Sequence, residues 1–108
     1  MSGFAGDPRA SAIDEVVTRW DGVRGKNVFG HRGWVRGGTM VGFIADDGVA
    51  VKLVGSMDAE AVMARDGVAL FAYDGKPMKG WPVLPVRDDA ELDAAIALLH
   101  DAYEAVSG

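Results

Sequence analysis

Three runs rich in β-branched and aromatic residues, joined by two tight-turn signals, constrain this chain more than any other feature. Val28–Arg36 carries Phe, Trp and Val and is interrupted by Gly30 and Gly33. Gly37-Gly38 follows, and glycine suits both central positions of a type I′ hairpin turn because each needs positive φ. Thr39–Ala45 reads as a second strand and Asp46-Asp47-Gly48 as a second turn. Val49–Val54 is the third strand, with Val49, Val51 and Leu53 on one face and Ala50, Lys52 and Val54 on the other. A three-stranded antiparallel meander is the predicted centre of the fold.

Helical patterns flank it. Asp7-Pro8 starts a first helix, since Asp accepts orphan N–H groups and Pro is tolerated in the first turn. Ile13, Val16, Val17 and Trp20 form one apolar stripe along it, and Gly22 and Gly25 bracket its exit into a loop. Residues 1–8 are predicted to be a flexible N-terminus and 9–108 a single domain. Ser56 is the expected N-cap of a short helix reaching about Arg65, with Met57, Ala61 and Ala64 buried. Val68–Ala72 is a short strand, Gly75–Gly80 a loop, and Trp81–Val86 another strand. Pro82 and Pro85 cannot donate to a ladder, which places that strand at an edge or makes it irregular. Asp88 and Glu91 make an acidic capping box ahead of a last helix whose apolar set is Leu92, Ile96, Leu99, Tyr103 and Val106. The order α-β(3)-α-β(2)-α predicts an α+β fold, two layers with an antiparallel sheet.

Composition narrows the function classes. The 108 residues contain no cysteine, so disulfides, thiolate catalysis and cysteine-ligated metals are excluded. No apolar run is long enough to span a bilayer and the first residues lack a signal-peptide pattern, so a cytoplasmic protein without membrane contact is expected. The net charge of −5 argues against broad binding to nucleic acid. The charge is uneven, however. Arg24, Lys26, Arg32 and Arg36 lie in a stretch without carboxylates, while Asp88, Asp89, Glu91, Asp93, Asp101 and Glu104 fill the C-terminal segment without a Lys or Arg.

Catalytic patterns are missing. His31 and His100 belong to no metal-binding spacing, and no serine sits in a nucleophile elbow. Asp46-Asp47 and Asp88-Asp89 are explained by turn and cap chemistry. Gly22-Val23-Arg24-Gly25 and Gly30-His31-Arg32-Gly33 lack the lysine and helix of a phosphate loop. Aromatics interleaved with cations from Arg24 to Arg36 could serve single-stranded nucleic acid. Strand alternation nevertheless puts Arg32, Trp34 and Arg36 opposite Phe29 and His31, so core packing of Phe29 and partial burial of Trp34 are expected. No catalytic residue, cofactor or metal is expected.

The run Gly75-Lys76-Pro77-Met78-Lys79-Gly80-Trp81 is the most distinctive motif. With Val28-Phe29-Gly30, Gly38-Thr39-Met40-Val41-Gly42 and Val51-Lys52-Leu53, in this order and at these separations, it resembles the N-terminal domain of the TfoX/Sxy family, over roughly residues 10–106. Val28 stands where family members typically carry Met. The resemblance implies a secretion-chaperone-like or YjbR-like fold, a link to bacterial competence regulation, and no enzymatic mechanism. It implies a stand-alone N-terminal domain, without the C-terminal domain of full-length relatives. The residues that carry the resemblance, or stand beside those that do, are the candidate contacts: Phe29, Gly30, His31, Arg32, Lys52, Lys76, Pro77, Met78, Lys79 and Trp81. The expected function is a non-enzymatic regulator or adaptor acting through protein contacts, with a homodimer as one partner arrangement. The rivals are nucleic-acid contact through residues 24–36, and a small-ligand pocket lined by His31, Lys76, Lys79 and Trp81.

Overall fold

The computed structural model describes residues 3–28, 30–54 and 57–107. Among these residues three helices, α1 (Pro8–Val17), α2 (Ala59–Met63) and α3 (Asp89–Ser107), accompany six strands. The strands are β1 (Val23–Val28), β2 (His31–Arg36), β3 (Thr39–Ile44), β4 (Val49–Val51), β5 (Ala69–Tyr73) and β6 (Lys76–Leu84). They form one sheet in the order β1-β2-β3-β4-β6-β5, antiparallel throughout. The fold is α+β, as the element pattern predicts.

The helices start where their capping residues stand. Asp7 caps α1 by accepting from the Arg9 N–H at 2.8 Å. Asp58, rather than Ser56, caps α2, accepting from the Ala61 N–H at 3.1 Å; Ser56 lies outside the described residues. That helix is shorter than expected and buries Val62, while Ala61 and Ala64 face solvent. Asp88 accepts from the Glu91 N–H at 2.9 Å. Glu91 reaches back past the usual cap position to the Arg87 N–H at 2.7 Å, closing a capping box one residue longer.

The sheet departs from expectation in four places. The first strand is two, because the chain reverses at Gly30 (φ 77) and β1 pairs with β2 from Val23↔Arg36 to Val28↔His31. Residues around Gly25 are therefore strand, not loop. The expected loop over Gly75–Gly80 is also strand. Asp74 (φ 54) and Gly75 (φ 78) make the tight turn between β5 and β6, a second use of the positive-φ pair found at Gly37-Gly38. The proline-bearing strand β6 is irregular as predicted but interior, between β4 and β5. Its pairing with β5 shifts between Ala72↔Pro77 and Leu70↔Pro82, so the prolines bound the stretch where the ladder is interrupted. Residues Gly3–Gly6 form a 3₁₀ turn that buries Phe4 beside the β3–β4 turn, the Phe4 N–H donating to Asp46 O at 2.8 Å.

Helices α1 and α3 cover one face of the sheet. Ile13 and Val17 from α1 and Ala95, Leu99 and Ala102 from α3 pack on Trp34, Val41, Val49 and Val51. A second, smaller cluster fills the opposite face: Phe43, Ala45, Ala50 and Val83, flanked by Met40, Phe71 and Trp81. Phe43 on β3 and Phe71 on β5 are three strand steps apart, roughly 14 Å in a flat sheet. Their ring centroids are 4.8 Å apart. The sheet is therefore strongly curled, and the β5–β6 hairpin folds over its own outer face.

Candidate functional site

The two faces treat their polar groups differently. On the helix-covered face, Asp14 of α1 accepts from Arg32 Nε at 2.9 Å and from Trp34 Nε1 at 2.7 Å. Trp34 is fully buried, beyond the partial burial expected, because it lies under α1 with its one donor satisfied. Arg36 donates to Tyr103 O at 3.1 Å, and its guanidinium carbon lies 3.9 Å from the Tyr103 ring centre. Half of the basic segment is thus occupied in tying β2 to α1 and α3. Arg32 also lies over Gly25, where any side chain would collide with its guanidinium.

On the outer face, His31 stacks near Phe43 with ring centres 6.0 Å apart and meets the edge of Phe71 at 6.2 Å. Trp81 lies 5.3 Å from Phe43, and Lys52 Nζ is 5.9 Å from the Trp81 ring centre. The structure thereby brings His31, Lys52 and Trp81 into one cluster. Phe43 and Phe71 fill the space between His31 and Trp81 where the ligand pocket was expected. Met78 is half-buried; Lys76, Pro77 and Lys79 are exposed along β6. Gly30 is exposed at the β1–β2 reversal, Arg32 belongs to the opposite face, and Phe29 lies outside the described residues.

Concavities occur elsewhere. A groove of about 550 Å³ runs between α2 and α3 along Met57, Val62, Leu98 and Asp101. A hollow of about 280 Å³ lies under β5 beside Asp46 and Asp47. His100 packs edge-on to Trp20, with Nδ1 3.5 Å from Glu104 Oε1. Among the described residues no group of three His, Cys, Asp or Glu could hold a metal ion, and no helix is long and apolar enough to cross a membrane.

Charge is sorted by element. Among the described residues no strand contains Asp or Glu, whereas the strands carry Arg24, Lys26, Arg32, Arg36, Lys76 and Lys79. The carboxylates lie in helices, caps and turns. The ion pair of Arg87 with Glu91 is on that side. The Arg87 guanidinium, and then its backbone N–H, hold the Glu91 carboxyl down at about 2. Glu91 and Asp66 in turn raise the already high value of Arg87.

Arg24 and Lys26 are the residues that sequence reasoning underrated, because a loop was expected there. Their neighbours set their direction. Lys26 pairs directly with Gly33, whose missing side chain would point at Met40 and Phe43, and Arg24 pairs with Val35 two residues on. Directly opposed residues share a face, so both cations stand on the outer face, at the free edge of the sheet. The alternation of Arg24, Gly25 and Lys26 was the available signal.

Against known proteins, the chain matches no family model, no curated protein and no solved structure.

Proposed function

We infer that this chain is a small, non-enzymatic regulatory or adaptor domain that acts through protein contacts on the basic side of its sheet. The observation that carries the reading is the sorting of charge. In a chain of net charge −5, the strands hold cations and no carboxylates among the described residues. Arg24, Lys26, Lys76 and Lys79 are exposed and make no ion pair with a described residue. The resemblance to the TfoX/Sxy N-terminal domain supports the same reading, as do the filled aromatic cluster at Trp81 and the lack of a catalytic constellation in the sequence. A cytoplasmic regulator is the setting that fits. The nucleic-acid reading uses the same cations but loses its stacking ring, because Trp34 is buried and Arg32 and Arg36 are engaged.

The test is cross-linking of the full chain in native lysate, with Arg24→Glu plus Lys26→Glu, Lys76→Glu plus Lys79→Glu, and a helix-side Asp93→Lys as three comparisons. A protein captured by wild type and by the Asp93 variant, but lost on one of the strand reversals, supports the reading. Capture insensitive to both strand reversals overturns it, and so does a gel shift on single-stranded DNA that exceeds any protein capture.

A further inference from the structure

The free edge at β1 has a property that neither the outer aromatic cluster nor the α2–α3 groove shares. Among the described residues β1 pairs with no strand but β2, the Val23 N–H at its start donating to Trp20 O at 3.1 Å, and Arg24, Gly25, Lys26 and Asn27 are exposed in succession. A row of strand backbone donors and acceptors is therefore open beside two cations that point the same way. Edge strands are templates for another strand unless something blunts them. Here the blunting device is charge of a single sign, so it selects as well as protects.

We propose that β1 is the docking edge for an extended acidic segment of a partner protein, which adds to the sheet as a further strand with carboxylates at alternate positions. The spacing follows from the pleat. Arg24 and Lys26 are two residues apart on one face, and a strand laid beside them presents every second side chain there, within cross-strand reach. Main-chain hydrogen bonds supply affinity and the alternate carboxylates supply selectivity. The intervening position faces the other side, where the Arg32 guanidinium over Gly25 leaves the backbone accessible but occupies the space above it. A second copy is disfavoured at this edge. Antiparallel β1–β1 pairing centred on Gly25 would set Arg24 of each copy against Lys26 of the other, and like charges directly opposite are destabilising. The far edge, β5, differs: Ala69, Leu70, Phe71, Ala72 and Tyr73 carry no charge with which to choose a partner by sign. A long polyanion is disfavoured by the carboxylate-rich helix side that shares this small domain.

The inference rests on the protein-contact reading above and is tested separately from it. The probe is a short end-capped peptide alternating Glu with Thr and Val, titrated into the isotope-labelled full chain, with versions carrying Gln or Lys in place of Glu. Expected are amide shift changes and slowed hydrogen exchange centred on Arg24 to Asn27, with binding at least about tenfold weaker for the Gln version and weakened by salt. Arg24→Glu plus Lys26→Glu, first checked for an unchanged thermal melt, should lose the Glu peptide and gain the Lys peptide. Equal binding of the Gln peptide, shifts confined to the α2–α3 groove or to Trp81, or tighter binding of an oligodeoxynucleotide each overturn the proposal. If the peptides fail while the Arg24 and Lys26 reversal still abolishes capture of a native protein, strand addition falls and the adaptor reading stands. If capture ignores the strand reversals, the adaptor reading falls too.

Discussion

The two faces of the sheet solve the burial of aromatic residues in opposite ways. Under the helices, Trp34 is covered by separate elements and its polar atom is matched by Asp14 on α1. On the outer face no helix intervenes among the described residues, and Phe43 is buried just as completely by the curl of the sheet, which brings Phe71 and Trp81 over it. The covered face spends its arginines on internal contacts. The outer face keeps Arg24 and Lys26 at the surface, while Lys76 and Lys79 are exposed along β6. One face is built for stability, and the other combines a small core with an exposed basic rim.

The largest expected effect lies on the covered face. Trp34→Ala should cost about 3–5 kcal/mol in urea unfolding, a loss of core volume that also leaves Asp14 without one donor. A cost below about 1 kcal/mol would mean that the helix layer is loosely held. Next comes Gly48→Ala. A side chain there would run into Leu84 O of β6, a backbone atom that cannot swing aside. Overpacking of this kind costs about 1–3 kcal/mol, and the loss should be read as a lowered denaturant midpoint. Phe71→Ala probes the curl. Half-buried, it should lose about 1–2 kcal/mol and shift the His31 and Trp81 side-chain resonances together, since all three rings meet at Phe43. Resonance changes limited to β5 would show that the outer cluster is not one unit.

Smaller effects separate the acidic helix end from the basic rim. Asp88→Ala should cost about 0.5–2 kcal/mol through loss of the cap. Glu91 has a lowered folded-state pKa, about 2 against an ordinary 4.5, because Arg87 donates to it from side chain and backbone. The stabilisation it contributes is therefore complete above about pH 4.5 and lost as pH falls through about 2. Glu91→Gln should flatten that acid limb of the melting temperature while changing the curve least at pH 2. The smallest effect belongs to Arg24→Ala plus Lys26→Ala, within about 0.5 kcal/mol per site. Arg36→Ala on the opposite face should cost about 1–2 kcal/mol. Equal costs for the two would erase the distinction between faces.

Much of the fold was legible from local chemistry. Gly37-Gly38, the aspartates at 7 and 88, and the spacing of Leu99 with Tyr103 each act within a few residues, and each appears where expected. The missed elements share a different cause. Val23–Val28 holds Gly25, Lys26 and Asn27, poor strand formers, and becomes a strand because β2 offers a partner. Lys76–Gly80 looks like a loop by composition and becomes a strand because Asp74-Gly75 folds it onto β5. Arg32 and Trp34 show the same limit at the site. Alternation placed them on one face, but only the position of α1 decided that both would meet Asp14.

What the sequence determined by itself is the α+β class, the caps of the first and last helices, and the sorting of carboxylates away from the strand-forming runs, all set by short-range propensity and period. Which cations remain at the surface was decided by tertiary structure alone. The helices dock on one face and engage Arg32 and Arg36, and the curl closes the other face around Phe43. Arg24 and Lys26 remain at an edge that nothing described covers, because strand pairing joins residues by their neighbours in space and not by their order in the chain.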